Sequence, residues 1–412
     1  MKRFAVFIFV PVLASLACGQ SVTVTPAALP SIVAPAAQPS ASNPDLWYVT
    51  RGEAKMDQLW GVDVDSQGNI YTAGLFQSPP TKPFFDVVVY KFAPDGTELW
   101  RTQWGDQFQE KAFIVTVSEP YVFVGGEANN SFSLLDSKML LLALDVNDGH
   151  VIWKFDWGSG TGYHELDGLV VDGDSIFVSG WTSNETTGGD IAILKLDRAD
   201  GKLAWVKTWG SDGFDSADGQ MVVDDQFIYV SGRYNGAMLT GGKSLLVKFS
   251  KGTGEYVSHT TWGQGIFNDG YGMTSDGTNL YVVGLTIVNA NGQIFLLKYD
   301  KDLKLIWEQT WGGKGGESAR AVEVDGAGNI LVTGHTESYG AGKNDIMLLK
   351  FSPDGTLLWE KIWGGKLLDQ THGLVIDGNF VYLVGETENN AAGLADGLLI
   401  KADARTGEFP QP

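Results

Sequence analysis

The chain of 412 residues has a single cysteine, Cys18. That excludes an intrachain disulfide and leaves no thiolate set for a structural zinc site. Its five histidines, His150, His164, His259, His335 and His372, show no zinc-ligand spacing. Positive charge is scarce as well: 29 Lys and Arg face 49 Asp and Glu, for a formal net charge of −20. That mean field repels a phosphate backbone and argues against a nucleic-acid partner. After residue 17 no apolar run is long enough to cross a bilayer. Gly-x-Ser-x-Gly, a phosphate-binding loop and a sustained 3.6-residue hydrophobic period are also missing. What abounds is glycine (53) and tryptophan (14), the composition of a turn-rich β protein.

Lys2 and Arg3 open the chain, an apolar stretch follows over 4–17, and Ser15-Leu16-Ala17 offers a small-residue cleavage site directly before Cys18. This resembles a bacterial lipobox, with Ser15 where that pattern usually has Leu. The resemblance implies removal of 1–17 and lipidation of Cys18; ordinary secretion, with Cys18 merely the first mature residue, is the alternative. Residues 20–44 carry no charged side chain and contain Pro26, Pro30, Pro35, Pro39 and Pro44, which break helices and central strands. They read as an extended tether. The expected divisions are a signal peptide over 1–17, Cys18 and tether over 18–44, and a folded domain over 45–412.

Trp-Gly recurs at Trp104, Trp157, Trp209, Trp262, Trp311 and Trp363, about every 50 residues, with four strand-like runs per copy. The copy around Asp345-Ile-Met-Leu-Leu-Lys350 shows the pattern well. An apolar run leads through Ser352-Pro-Asp-Gly-Thr356, a hairpin signal, to Trp359 and Trp363, which share one face of a strand. Such large rings suit packing between sheets. The last copy, 368–403, has only three runs, and the missing Trp-bearing run stands at the other end, over 45–52. Pairing the two closes a ring without free edges. The expected fold is all-β, a monomeric seven-bladed propeller of four-stranded blades. Lysines at Lys91, Lys195, Lys248, Lys298, Lys350 and Lys401 recur at one strand position and read as framework, stem along the blade and head in water.

Trp-Gly-Gly followed by a carboxylate, Gly-x-x-x-Asp, Gly-Asn-Ile and Asp-x-x-x-x-Lys together resemble the SBBP-repeat family of bacterial β-propellers, over about 45–403. The resemblance implies an exported or surface propeller and brings no catalytic residues. Asp197-Arg-Ala-Asp-Gly-Lys-Leu-Ala-Trp205 is similar to the tryptophan-docking repeat of quinone-dependent dehydrogenases and of outer-membrane assembly lipoproteins. Ser352-Pro-Asp-Gly-Thr-Leu-Leu-Trp359 resembles the Asp box of sialidases, except that Asp and Gly are adjacent.

The loops joining one blade to the next should gather at one mouth of the channel. There the copies place Asp57, Glu110, His164, Ser216, Asn268, Glu317 and Asp369. Asp57, Glu110, His164, Glu317 and Asp369 are the candidate ligand site, where a carboxylate ring suits a hard cation such as Ca²⁺; no other cofactor is expected. Equally, each side chain can cap its own loop. The functional expectation is a tethered, non-catalytic module binding an envelope protein or polysaccharide, membrane contact being limited to the lipid anchor. The alternatives are a glycan-acting hydrolase or lyase at the mouth, or an outer-membrane assembly lipoprotein.

Overall fold

Each repeat folds into an antiparallel sheet whose four strands follow one another in chain order. In the first blade Asp57–Val64 is the inner strand, followed by Ile70–Phe76, Asp86–Phe92 and the outer, Trp-bearing Glu98–Trp104. β-Branched and aromatic residues fill these runs, and Gly, Asn and Asp punctuate them. The seventh blade is composite: Trp47–Arg51 pairs with Asp396–Asp403, and Phe380–Thr387 and Asp369–Asp377 complete it inward. The computed structural model describes residues 38–39 and 43–412, apart from 54, 78–83, 130, 134–135, 159–161, 184–187 and 237–240, and among these there is no helix. The segments expected to be signal peptide (1–17) and, for the most part, tether (18–44), with Cys18, lie outside the described residues. The fold is the expected all-β, seven-bladed propeller, closed by its N-terminal strand.

Its core is divided into seven clusters, one between each pair of neighbouring blades. Tyr71, Val87 and Val89 of the first blade pack on Val122, Leu140 and Leu142 of the second. At the closing junction Trp47, Val49 and Leu399 pack on Leu59, Val88 and Tyr90. The middle strands are buried almost throughout, while outer strands alternate between half-buried and exposed.

The half-buried outer face is where the indoles meet the next blade. Trp100 Nε1 donates to Val146 O at 3.3 Å and Trp307 Nε1 to Pro353 O at 3.3 Å, both in the following blade's hairpin turn. The recurring lysine reaches the same turn. Lys91 Nζ donates to Val146 O at 3.0 Å, Lys298 to Pro353 O at 3.0 Å, Lys350 to Ala404 O at 2.8 Å and, across the ring closure, Lys401 to Pro94 O at 3.3 Å. The expectation of a solvated head is therefore corrected: Lys248 and Lys350 are 6% exposed. Turn carbonyls lie outside the strand ladders and need donors, which lysine and indole supply together. The turn glycine lies flat on the indole: a Cβ at Gly149, where φ is 75°, would stand 2.7 Å from the Trp100 ring.

Candidate functional site

The inner strands of all seven blades surround a central channel of about 360 Å³. Six of them are bulged at one position. In the first, Leu59 pairs with Gly74 and Gly61 with Ala73, so Trp60 has no partner across the ladder. Phe113, Asp167, Tyr271, Arg320 and His372 are skipped in the same way. In the fourth blade the inner strand is split into Phe214–Ser216 and Met221–Val223, and Asp218 falls in the gap. A bulge re-aims the inserted side chain, and here all seven line the channel. The glycine that ends each second run makes the bulge possible: a Cβ at Gly180 would lie 1.9 Å from the Glu165 carbonyl.

The seven side chains differ in chemistry, and the channel is accordingly polarised. On one side stand Glu165, Asp167 and Asp218, with Asp269 and Glu127 beside them. Glu165 and Asp167 lie close together, as do Asp218 and Asp269, and each pair sets two acids side by side in a buried place. The Tyr163 hydroxyl donates to Glu165, and Ser216 Oγ donates to Asp218 Oδ2 at 2.5 Å. Burial, reinforced by the Glu127 charge, pushes Glu165 up to about 7. Burial likewise holds Asp167 and Asp269 well above the usual carboxylate range. Lys111 lies 2.8 Å from Glu127, and Arg233 is 3.9 Å from Asp269. Arg320 sits 4.4 Å over the Tyr271 ring.

The facing wall is aromatic. Trp60 and His372 stack at 3.8 Å with their planes 6° apart, and Phe113 meets Trp60 edge-on at 5.4 Å. His372 Nε2 is 3.1 Å from Glu386 Oε2. Further along, Asp63 and Glu323 accept the backbone N–H of Val117 at 2.7 Å and of Ile376 at 3.1 Å, each on the neighbouring inner strand. Burial raises these two acids to about 6 and about 7.

The residues singled out from the sequence lie at the heads of the inner strands, three positions before the bulge. Asp57, Glu110, His164, Glu317 and Asp369 are all 5% exposed or less. Asp57 accepts the N–H groups of Glu53 at 2.8 Å and Gln77 at 2.9 Å, and Glu110 that of Asp106 at 3.2 Å. Glu317 accepts from Gly313 and Ser338 at 3.1 Å, and Asp369 from Gly365 at 2.8 Å. His164 Nδ1 is 2.7 Å from Thr182 Oγ1. In the fourth blade Asp215, rather than Ser216, holds this position, taking the N–H of Asn235 at 2.8 Å. A second acid approaches from the preceding blade's third strand, and the Trp-Gly glycine lies between the two. A Cβ at Gly364 would be 2.3 Å from Asp345 Oδ1 and 2.8 Å from Asp369 Oδ2. Among the described residues, the group of acid and imidazole side chains close enough to share one ion is Asp145, Asp148 and His150, on a hairpin turn away from the channel.

Sequence reasoning found the strand heads and passed over the bulged residues. Their signal is a position whose chemistry varies between copies, aromatic, acidic or basic, while its neighbours repeat.

A family model described as outer membrane protein assembly factor BamB matches residues 86–240, less than half of the chain. Among solved structures, the chain is similar to the Neurospora crassa Pan2 WD40 domain, with TM-score 0.53 and 9% identity over 86% of this chain and 92% of that one. The WD40 propeller of Doa1 gives TM-score 0.53 at 11% identity, covering 89% and 96%. The shared feature is the propeller fold. A quinohemoprotein alcohol dehydrogenase from Comamonas testosteroni aligns at TM-score 0.45 and 11% identity, over 89% of this chain and 77% of that one. No curated protein matches the chain.

Proposed function

We propose that this is an exported, lipid-anchored propeller of the SBBP-repeat kind, acting at the cell envelope as a non-catalytic docking module. The observation that carries the docking reading is the apolar studding of one end. In an antiparallel blade the loop into the inner strand and the loop between the second and third strands lie at the same end. In those loops stand Ile266, 75% exposed, Phe132, 69%, and Leu394, 59%, with Tyr339 and Leu367 also exposed. Large apolar side chains gathered around a polar depression mark a protein-binding surface. The match to the assembly-factor family model supports an envelope setting.

The test is site-specific photo-crosslinking in envelope preparations. A crosslinker at Ile266 or Leu394 should give a discrete adduct, and one at Ile306 on an outer strand should not. Equal labelling from both places would count against a docking end. For the anchor, replacing Cys18 with Ser should move the protein from membrane fractions into the soluble phase; retention in the membrane would dismiss lipidation.

A second reading has its own support: the close carboxyl pairs Glu165–Asp167 and Asp218–Asp269, across the channel from Trp60, resemble the carboxyl pairs with which hydrolases cleave glycosidic bonds. Against it, members of each pair touch, whereas glycosidase carboxyls stand roughly 5–9.5 Å apart. Glycan release that Glu165→Gln abolishes, without loss of folding, would favour the enzyme.

A further inference from the structure

The end that carries the exposed apolar side chains is electrostatically two-sided. Among the loops that join one blade to the next, 105–109 and 210–213 present the exposed acids Asp106 and Asp212. Across the ring, 312–316 and 364–368 present Lys314 and Lys366, both exposed, and these two loops contain no acid. Among the described residues neither lysine takes part in an ion pair. The charges around them are already engaged: Lys343 is 3.3 Å from Glu388, and Glu337 accepts the Gly316 N–H at 3.1 Å. In a chain of net charge −20, two open cations on successive loops stand out against the mean field.

The two lysine loops belong to one continuous surface. Between them lies 337–344, the loop linking the second and third strands of the sixth blade. A Cβ at Gly313 would stand 2.5 Å from Ser338 and 3.4 Å from Tyr339 Cζ, and one at Gly342 would stand 2.5 Å from Leu367 O. A Cβ at Gly365 would in turn be 2.5 Å from Asn389 Oδ1, in the loop that carries Leu394. The exposed Tyr339 ring rests 5.1 Å from Trp311, which is itself held by a 2.7 Å bond from Nε1 to Glu360 Oε2. The exposed Leu367 has its N–H on Asn389 Oδ1 at 3.3 Å, and Leu394 has its N–H on Lys55 O at 2.9 Å. These side chains are displayed from hydrogen-bonded backbone, so a partner that covers them has little left to order.

The arc thus sets two unpaired cations among three anchored, largely apolar side chains. The lysines ask for carboxylates, and the apolar surface asks for large apolar groups, which a polysaccharide lacks. A flat anionic membrane would bring its charge against Asp106 and Asp212 of the same end, whereas a segment lying along the arc avoids them. We propose that Lys314, Tyr339, Lys366, Leu367 and Leu394 form the docking site for a segment of another protein in which Asp or Glu accompanies large apolar residues. This names the chemistry of the partner and rests on the docking reading above. The apolar side chains supply most of the affinity, and the lysines fix the register and turn basic segments away.

Selection of random linear peptides displayed on phage, with the full chain as the target, tests this. Enriched sequences should combine acids with Leu, Ile, Phe or Trp. Synthetic copies are then titrated against the chain by fluorescence anisotropy. Lys314→Glu with Lys366→Glu should weaken them at least about 10-fold. Lys202→Glu with Lys304→Glu makes the same change of net charge at exposed hairpin turns of the opposite end. That control should leave binding within about 2-fold, because charges so far off are screened. Tyr339→Ser with Leu367→Ser should also cost about 10-fold or more. A peptide whose acids are replaced by Lys should fail on the parent and bind the chain with both lysines reversed. Melting curves confirm that the variants fold.

Enriched sequences without acids, binding that survives reversal of Lys314 and Lys366, or failure of the charge exchange would each overturn the proposal. Selection that enriches no sequence would overturn it as well. Cosedimentation with vesicles of equal parts phosphatidylglycerol and phosphatidylcholine, lost when the same lysines are reversed, would assign the arc to a lipid surface instead. Crosslinking from Ile266 or Leu394 that persists while the peptides fail removes this inference and spares the docking reading. Peptide binding at the arc without any envelope adduct does the reverse.

Discussion

Asp63 and Glu323 show how single residues in the channel wall tie stability to pH. Each bridges two inner strands by accepting a backbone N–H, and burial raises their values from 3.8 to about 6 and from 4.5 to about 7. Between those limits the folded chain binds more protons than the unfolded chain, so stability falls as pH rises. The stabilising contribution is complete below the unfolded values and is lost as pH passes the folded ones. Glu165, at about 7, acts in the same direction. Urea unfolding should therefore give a lower free energy at pH 8 than at pH 5. The contribution of Asp63 is roughly 3 kcal/mol at one pKa unit per 1.36 kcal/mol. Asp63→Asn with Glu323→Gln keeps both acceptors and should flatten the profile; an unchanged slope would mean that other groups set it. None of this was legible in the chain, where Asp63 and Glu323 look like ordinary polar members of alternating strands. Their role depends on which N–H of the next blade they face. The lysine heads were misjudged for the same reason, since alternation assigns a face but says nothing of the turn that covers it.

At the scale of elements, the repeat was legible wherever a side chain serves the repeat. The Trp pairs, the Asp-Gly turns and the glycine closing each second run all mark strands in their observed places. The bulge was hidden because one inserted residue leaves the pattern of apolar and polar residues plausible on either side of it. Leu59-Trp60-Gly61 reads as a smooth strand, and only pairing with Gly74 and Ala73 reveals Trp60 as the extra residue. The fourth blade hides it further by breaking its inner strand. The glycine opposite the bulge offers a direct test. At Gly334 a Cβ would lie 1.9 Å from the Ser318 carbonyl, whereas at Gly326 nothing stands within 4 Å. Gly334→Ala should cost roughly 2–4 kcal/mol and disturb the environment of Arg320. Gly326→Ala should stay within about 0.5 kcal/mol of the parent. Similar losses at both positions would show that the bulge tolerates a side chain.

For the molecule as a whole, the closing strand decides whether seven sheets make a ring. Trp47 and Val49 fill the last inter-blade cluster, and Trp47–Arg51 covers the edge of Asp396–Asp403. Removing residues 20–52 should expose that edge, lower the melting temperature by several degrees and promote aggregation, as an unpaired edge does. Removing 20–37 should leave melting close to that of the parent, and equal melting of the two truncations would refute closure as a source of stability.

The same arrangement imposes an order in time. During synthesis the first six blades can each be completed as their four consecutive strands emerge. Trp47–Arg51 emerges before any of them and must wait for Asp396–Asp403, the last strand made. Until then its indole has no cluster to enter. Such a long sequence separation slows folding through the entropy of closing the loop. Transferring residues 43–52 to follow Pro412 would place the two partners side by side in the chain. That permuted protein should reach the same fold and, in stopped-flow refolding followed by tryptophan fluorescence, reach it faster. The ring is thus sealed by the first blade strand to be made, which waits through six complete blades for the sheet it belongs to.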